Sequence, residues 1–378
     1  MRIIFTGGGT GGHFYPIIAV AEAVRALAKK KQLVEPELIY SGPEQFDERA
    51  LFESDIRFIQ SPAGKVRRYT SIYNVTDTIK TFVGILKALV QLFSLYPDVV
   101  FSKGGYASVP TVLAARILGI PVVIHESDAK PGRANVLASR FAKRIAISYP
   151  ETAEYFKKTK GTVALTGTPV RKELHGIDRE GGKALLKLPE HMPLVLVLGG
   201  SLGSARINET LLAALPDILP HAAVVHQTGK SHYDGVVGTA EVILTAHQNK
   251  EHYHAFPFLS VLSMRMAAGA ATVIVSRAGS GTIAELSLWK KPAILIPIPE
   301  EISHDQRTNA YAYARTGGAI VIEESNLTPH VLSSEIVSIV QDPVRQAEMA
   351  EKGHLFARPE AAETLAEALI ALALQHES

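Results

Sequence analysis

Apolar runs of about four or five residues recur along the chain, each followed by a glycine-rich or polar turn and then a segment with helical apolar spacing. That alternation predicts strand, turn and helix units feeding a parallel sheet. Strands are expected at 3–6, 37–41, 98–102, 122–125 and 144–148. The pattern restarts at Leu194-Val195-Leu196-Val197-Leu198, with further strands expected at 223–227, 242–244, 272–275, 293–296 and 319–322. Between the two series, Leu165-Thr166-Gly167-Thr168-Pro169-Val170-Arg171 is punctuated by Gly and Pro and reads as a crossing. The expectation is an α/β chain of two Rossmann-like, doubly wound domains, 1–165 and 166–359, with an interdomain cleft. An amphipathic helix at 360–378, rich in Ala and Leu, completes the first domain.

One helical segment breaks the usual pattern. Ile79, Phe82, Val83, Leu86, Val90 and Phe93 repeat on one face, and Ile85, Leu89 and Leu92 widen it beyond what a core seam needs. Polar residues interrupt it too often for a spanning helix. Two readings stand: a fully buried helix, or an apolar face lying on an anionic bilayer, with Lys65, Arg67 and Arg68 just before it.

Composition narrows the class. The chain has 378 residues, 47% hydrophobic and 20% charged, which describes a globular protein too long for one core. It has no cysteine, excluding disulfides and thiolate zinc sites and fitting a reducing cytoplasm. A strand is expected within the first residues, so no signal peptide is expected. The net charge of +2 hides an asymmetry: residues 1–160 carry 22 Lys+Arg against 14 Asp+Glu, and the remainder 17 against 23. A basic first half suits an anionic surface or substrate; nucleic-acid binding would want a strongly basic domain with interleaved aromatics.

The densest chemical signal is Thr6-Gly7-Gly8-Gly9-Thr10-Gly11-Gly12-His13, between an apolar strand and a helix. So many glycines strip side chains from the turn and let backbone N–H groups approach a diphosphate. Gly7, Gly9 and Gly12 satisfy a dinucleotide fingerprint, but the second strand ends Tyr40-Ser41-Gly42, without the acid a nicotinamide or flavin site places there. His13 follows at the rim of this anion hole, where an imidazole titrating near neutrality suits a general base; a positioning donor is the plainer reading.

A second anion turn is expected at Arg277-Ala278-Gly279-Ser280-Gly281-Thr282, opening another helix. Thr282 and Glu285 fit a capping box, and Glu285 equally fits a bidentate acceptor for ribose hydroxyls. The run Asp305-Gln306-Arg307-Thr308-Asn309 packs donors and acceptors at a strand end, as sugar hydroxyls require. His125-Glu126-Ser127-Asp128 forms the matching polar mouth in the first half. Gly229-Lys230-Ser231 only imitates a phosphate loop, since Val224 stands where its first glycine should be. His247, His252 and His254 lack partner acids, so no metal site is expected.

These residues together resemble the MurG family. Seven motifs carry the resemblance, in order: the 7–16 turn, Ser102-Lys103-Gly104-Gly105-Tyr106, His125-Glu126, the 166–171 crossing, Gly199 to Gly203, Arg277 to Glu285, and Gln306 to Ala310. The resemblance implies a GT-B fold and an inverting, metal- and cofactor-independent transferase. It would move N-acetylglucosamine from UDP-N-acetylglucosamine to undecaprenyl-diphosphate-linked N-acetylmuramoyl pentapeptide (lipid I), giving lipid II, at the inner face of the cytoplasmic membrane. No nucleic acid is implied. The first domain then binds acceptor through Thr10, Gly11, Gly12, Tyr106, His125, Glu126 and Asn135, with His13 or Asp128 as base. The second binds donor through Ser201, Val261, Ser280, Gly281, Thr282, Glu285, Asp305, Gln306 and Asn309, with Arg171 from the crossing.

Overall fold

The computed structural model describes residues 1–65, 73–189, 191–200, 202–303 and 305–376. They divide into two units, Met1–Arg171 with Arg358–Ser378, and Lys172–Ala357.

In the first unit the described residues form a seven-stranded sheet: β1 (Arg2–Thr6), β2 (Glu37–Gly42), β3 (Arg57–Gln60), β4 (Val99–Ser102), β5 (Val122–Glu126), β6 (Arg144–Ile147) and β7 (Thr162–Leu165). The order is β3-β2-β1-β4-β5-β6-β7, every pairing parallel. Alternation along β1 sorts side chains to two cores. Ile3 and Phe5 join the helix Gly11–Lys30, while Ile4 joins the helices on the opposite face. The C-terminal helix Ala361–His376 packs against the first, its Leu365, Ala366, Leu369 and Ile370 meeting Ile17, Val20, Ala21 and Val24.

Residues 166–168 of the crossing stay with this unit for a hydrogen-bonding reason. Thr166 and Gly167 N–H both donate to the Ile147 carbonyl, at 2.9 and 3.2 Å, and the Ser148 and Thr168 hydroxyls meet at 2.7 Å. The division therefore falls at Arg171 rather than at 165.

In the second unit the described residues form a six-stranded parallel sheet: β8 (Leu194–Leu198), β9 (Ala223–Gln227), β10 (Tyr253–Phe256), β11 (Val273–Ser276), β12 (Ala293–Leu295) and β13 (Ala319–Val321), in the order β10-β9-β8-β11-β12-β13. The expected strand at 242–244 is instead the end of a helix, Tyr233–Ile243, whose Val236 and Ala240 face the core while Val242 is exposed. Helical spacing overrode a short β-branched run. The strands β3, β7 and β10 lie outside the expected set: each has only four residues, none fully buried.

In both sheets the winding reverses direction at one place, between β1 and β4 and between β8 and β11. Loops leaving those neighbours diverge and open a crevice at the strand C-termini, where α/β proteins bind ligands.

The helix Tyr73–Leu95 lies on the first unit through a narrow stripe, with Gly84, Ala88 and Leu92 buried. Gly84 is needed there, because a Cβ would run into the Pro62 carbonyl. The opposite face, Ile79, Phe82, Val83, Leu86, Val90 and Phe93, is 49–74% exposed, which overturns the fully buried reading. By length and composition alone Thr76–Leu95 is apolar enough to cross a membrane, contrary to the expectation that polar residues interrupt it too often. Its packing against the helix Val109–Ile117 makes it a surface helix of the unit. Arg67 and Arg68 lie outside the described residues.

Candidate active site

The glycine turn after β1 sits at the first unit's winding reversal. Gly9 takes φ +96°, and a Cβ there would meet the Tyr106 ring at 3.0 Å, so only glycine lets the backbone pass beneath that ring. Thr10 caps the helix Gly11–Lys30 without a side-chain cap bond, and its carbonyl accepts from His13 and Phe14 N–H at 3.1 and 3.2 Å. No acidic residue occupies the helix's own first turn, and Gly12 is exposed.

His13 is half-buried, with Nδ1 3.0 Å from the Thr10 hydroxyl. Its surroundings desolvate the ring, and the nearby Lys103 ammonium adds to that; together, against the opposing pull of Asp128, they lower its pKa to about 4. The expectation of an imidazole titrating near neutrality is therefore corrected: the free protein holds His13 as neutral imidazole. Asp128, the rival base, belongs to the same electrostatic group, half-buried on the loop after β5.

The other residues expected around the acceptor take more internal positions. His125 is fully buried, and its Nε2 donates to the Gly167 carbonyl at 2.8 Å, tying β5 to the crossing; that bond leaves Nδ1 an acceptor without a hydrogen-bond partner. Burial and Lys103 hold this ring well below the ordinary histidine range. The Glu126 carboxylate, 3% exposed, accepts from Asp128 N–H, Gly132 N–H and Asn135 Nδ2, at 3.0, 2.9 and 3.0 Å. It organises the loop from within. Desolvation and Asp128 raise its pKa to about 7, against the pull of Lys103. Asn135, also buried, gives its second amide bond to the His125 carbonyl at 3.0 Å. Tyr106 stays half-buried over Gly9. Arg171 places its guanidinium 4.4 Å over the Tyr15 ring, within the first unit.

In the second unit the helix Ser280–Trp289 starts directly after the β11 turn, capped by Gly279, again with no acid in its first turn. Ile283 N–H returns to the Gly279 carbonyl at 3.0 Å, so the N–H groups of Ser280, Gly281 and Thr282 precede the helical ladder. The capping-box reading of Thr282 and Glu285 is corrected by this boundary: Thr282 is the third helical residue, and Glu285 lies further along, half-buried. Gln306, first residue of the helix Gln306–Ala314, accepts at Oε1 from the N–H groups of Ala278 and Ile298, both at 3.2 Å. Asn309 is buried, its amide 3.5 Å from the Ala278 carbonyl, and its N–H donates to the Asp305 carbonyl at 2.9 Å. Val261 opens the helix Val261–Ala270 behind Ser260, whose hydroxyl accepts from Ser263 N–H. Ser201 lies outside the described residues.

Two residues that sequence reasoning left unassigned hold these turns together. Arg277 donates to the Ser204 hydroxyl at 2.7 Å and to the Ile296 and Pro297 carbonyls, and pairs with Glu324 at 2.6 Å. Gln227 donates to the Gly200 carbonyl at 3.2 Å and accepts from Leu259 N–H at 2.9 Å, joining the glycine turn after β8 to the segment before Val261. The only sequence signal for Gln227 was a polar residue closing an apolar strand.

Residues 3–147 match the glycosyltransferase family 28 N-terminal domain, and residues 194–365 match its C-terminal domain. Over 341 residues the chain is 36% identical to the UDP-N-acetylglucosamine–N-acetylmuramyl-(pentapeptide) pyrophosphoryl-undecaprenol N-acetylglucosamine transferase of Treponema denticola, covering 87% of this chain and 85% of the relative. A transferase of the same name from Clostridium novyi is 36% identical over 344 residues, covering 90% and 91%. The chain belongs to this transferase family, MurG.

The crystal structure of Acinetobacter baumannii MurG matches with a TM-score of 0.74 at 26% identity, covering 98% of this chain and 99% of that one. The fold is GT-B, built of two parallel-sheet α/β units. A putative UDP-N-acetylglucosamine 2-epimerase from Listeria monocytogenes, at 14% identity and a TM-score of 0.70, shares that fold alone.

Proposed function

We propose that this chain transfers N-acetylglucosamine from UDP-N-acetylglucosamine to the C4 hydroxyl of lipid I, giving lipid II with inversion. One observation carries the reading. Each unit ends its winding reversal in a helix start free of acids, and only the first carries an imidazole in its opening turn.

In this reading the second unit holds the donor. The N–H groups of Ser280, Gly281 and Thr282 meet the diphosphate, Glu285 accepts the ribose hydroxyls, and the Val261 backbone meets uracil. Gln306 keeps its amide N–H donors for the sugar, since its oxygen is occupied by backbone. Asp305 reads a hydroxyl beside it, Asn309 orders the segment, and Ser201 completes the diphosphate contacts. In the first unit Gly11 and Gly12 present N–H groups to the acceptor diphosphate. Tyr106 and Thr10 border it, while His125, Glu126 and Asn135 support it from inside.

The acceptor C4 oxygen forms a bond to the anomeric carbon as the bond from that carbon to the β-phosphate oxygen breaks, and UDP leaves with the electron pair. The proton passes to His13. In the tautomer this reading requires, Nδ1–H donates to the Thr10 hydroxyl 3.0 Å away and the Nε2 lone pair is free to accept it. Helix dipole and oriented N–H groups meet the charge growing on UDP, as preorganised donors do at an oxyanion. The exposed apolar face of the helix Tyr73–Leu95, on the basic half of the chain, rests on the anionic inner face of the membrane, where the acceptor's lipid stays anchored.

Incubation with UDP-N-acetylglucosamine and a short-chain lipid I analogue tests the reading. A β-linked disaccharide product with one UDP per transfer, unchanged by EDTA, is expected. Epimerised donor, or UDP released only by hydrolysis, would contradict it.

A further inference from the structure

Lys103 is 1% exposed, a rare state for a lysine, since burying an ammonium costs several kcal/mol unless charges and hydrogen bonds compensate. It follows β4, the strand between β1 and β5. Its N–H donates to the Thr6 carbonyl at 2.8 Å, and a Cβ on Gly7 would stand 2.8 Å from its own, so its backbone floors the glycine turn. Its side chain reaches the loop after β5, where Nζ donates to the buried Ser127 hydroxyl at 2.7 Å. Ser127 stands between Glu126 and Asp128. One residue, through its backbone to β1 and its side chain to the loop after β5, thus ties together the C-terminal ends of three adjacent strands at the winding reversal.

We propose that Lys103 is a positioning residue for transfer, its buried ammonium fixing the Ser127–Asp128 turn beneath the glycine turn that carries His13. The inference rests on the reading of that turn as the acceptor site. The charged and titratable groups that face this ammonium are Glu126, Asp128, His13 and His125. The two carboxylates stabilise it against desolvation, and it in turn discourages protonation of both imidazoles. A neutral His13 is the form able to take a proton from the acceptor hydroxyl.

Lys103→Met keeps the length and apolar stem while removing the charge and the Ser127 bond. The expected result is an unchanged KM for UDP-N-acetylglucosamine, a loss of roughly tenfold or more in kcat/KM for the lipid I analogue, and His13 titrating at higher pH by NMR. Ser127→Ala, which removes only a hydroxyl, covers the case in which Lys103→Met does not fold, and is expected to lower kcat/KM for the acceptor alone. Wild-type acceptor kinetics in the variant that folds, or an unmoved His13 titration in Lys103→Met, would overturn the proposal. An inactive wild-type protein would sink the functional reading and this proposal with it, whereas an active wild type with either of those two results would overturn this proposal alone.

Discussion

At the scale of single residues, His13 shows how far a side chain's neighbours redirect its chemistry. The sequence marked it as a base because it follows a glycine turn, but not the dense packing and the Lys103 ammonium that bring its pKa to about 4. In the free protein the acid limb of kcat/KM should therefore fall well below the ordinary histidine value. An anionic diphosphate bound beside the ring favours imidazolium, so the acid limb of kcat should lie at higher pH than that of kcat/KM. His13→Ala should cut kcat by about 10²-fold or more; a near-normal rate and profile would transfer the role to Asp128.

His226, buried between Asn208 and Tyr253, carries a stability signature of the same kind. Burial lowers its pKa to about 3. Between that value and about 6.5 the unfolded chain binds the extra proton, so stability is complete above the window and is lost as pH falls through it. Glu126, raised to about 7, works the other way between its ordinary value and 7, since the folded state there holds the proton longer. Urea midpoints measured from pH 7 to 4 isolate the histidine: His226→Gln should show a shallower decline on the acid side than wild type. Equal slopes would show that this ring contributes nothing to acid sensitivity.

Among elements, those legible in the sequence were the ones whose local pattern and tertiary role agree. The strands β1, β5, β8 and β9 are each built on an apolar run of three to five residues buried on both faces, and each is legible to within a residue or so. Edge strands β3, β7 and β10 escape the pattern because each is four residues long with none fully buried, so no sustained apolar run marks them. Both glycine turns that open a helix were placed correctly from glycine spacing, yet the first helical residue after Gly279 was not, and with it went the capping box. The helix Tyr73–Leu95 is the reverse case: its apolar repeat was plain, but which stripe faces the core depends on Gly84 meeting Pro62, a long-range contact. Phe82→Asp with Leu86→Asp should abolish cosedimentation with anionic vesicles while leaving the melting temperature near wild type, because both side chains are exposed. Vesicle binding that survives would contradict membrane docking through this face. In contrast, Leu369→Ala in the C-terminal helix opens a cavity against the first helix and should cost about 2–5 kcal/mol in urea unfolding.

Across the whole molecule, the two-sheet architecture followed from counting strand and glycine-turn units, and family membership from motif order over nearly the full length. What the sequence could not supply was the internal wiring. His125, Glu126 and Asn135 were expected to line a pocket, and they prove to be buried supports whose bonds run to Gly167, Gly132 and one another. In the proposed reaction donor recognition lies in the second unit and the base in the first. Calorimetric titration with UDP tests that division most directly. Wild type and His13→Ala should bind UDP with the same affinity while His13→Ala forms product about 10²-fold or more slowly, and Glu285→Ala should bind UDP at least tenfold more weakly; loss of UDP binding in His13→Ala, with full binding in Glu285→Ala, would contradict it.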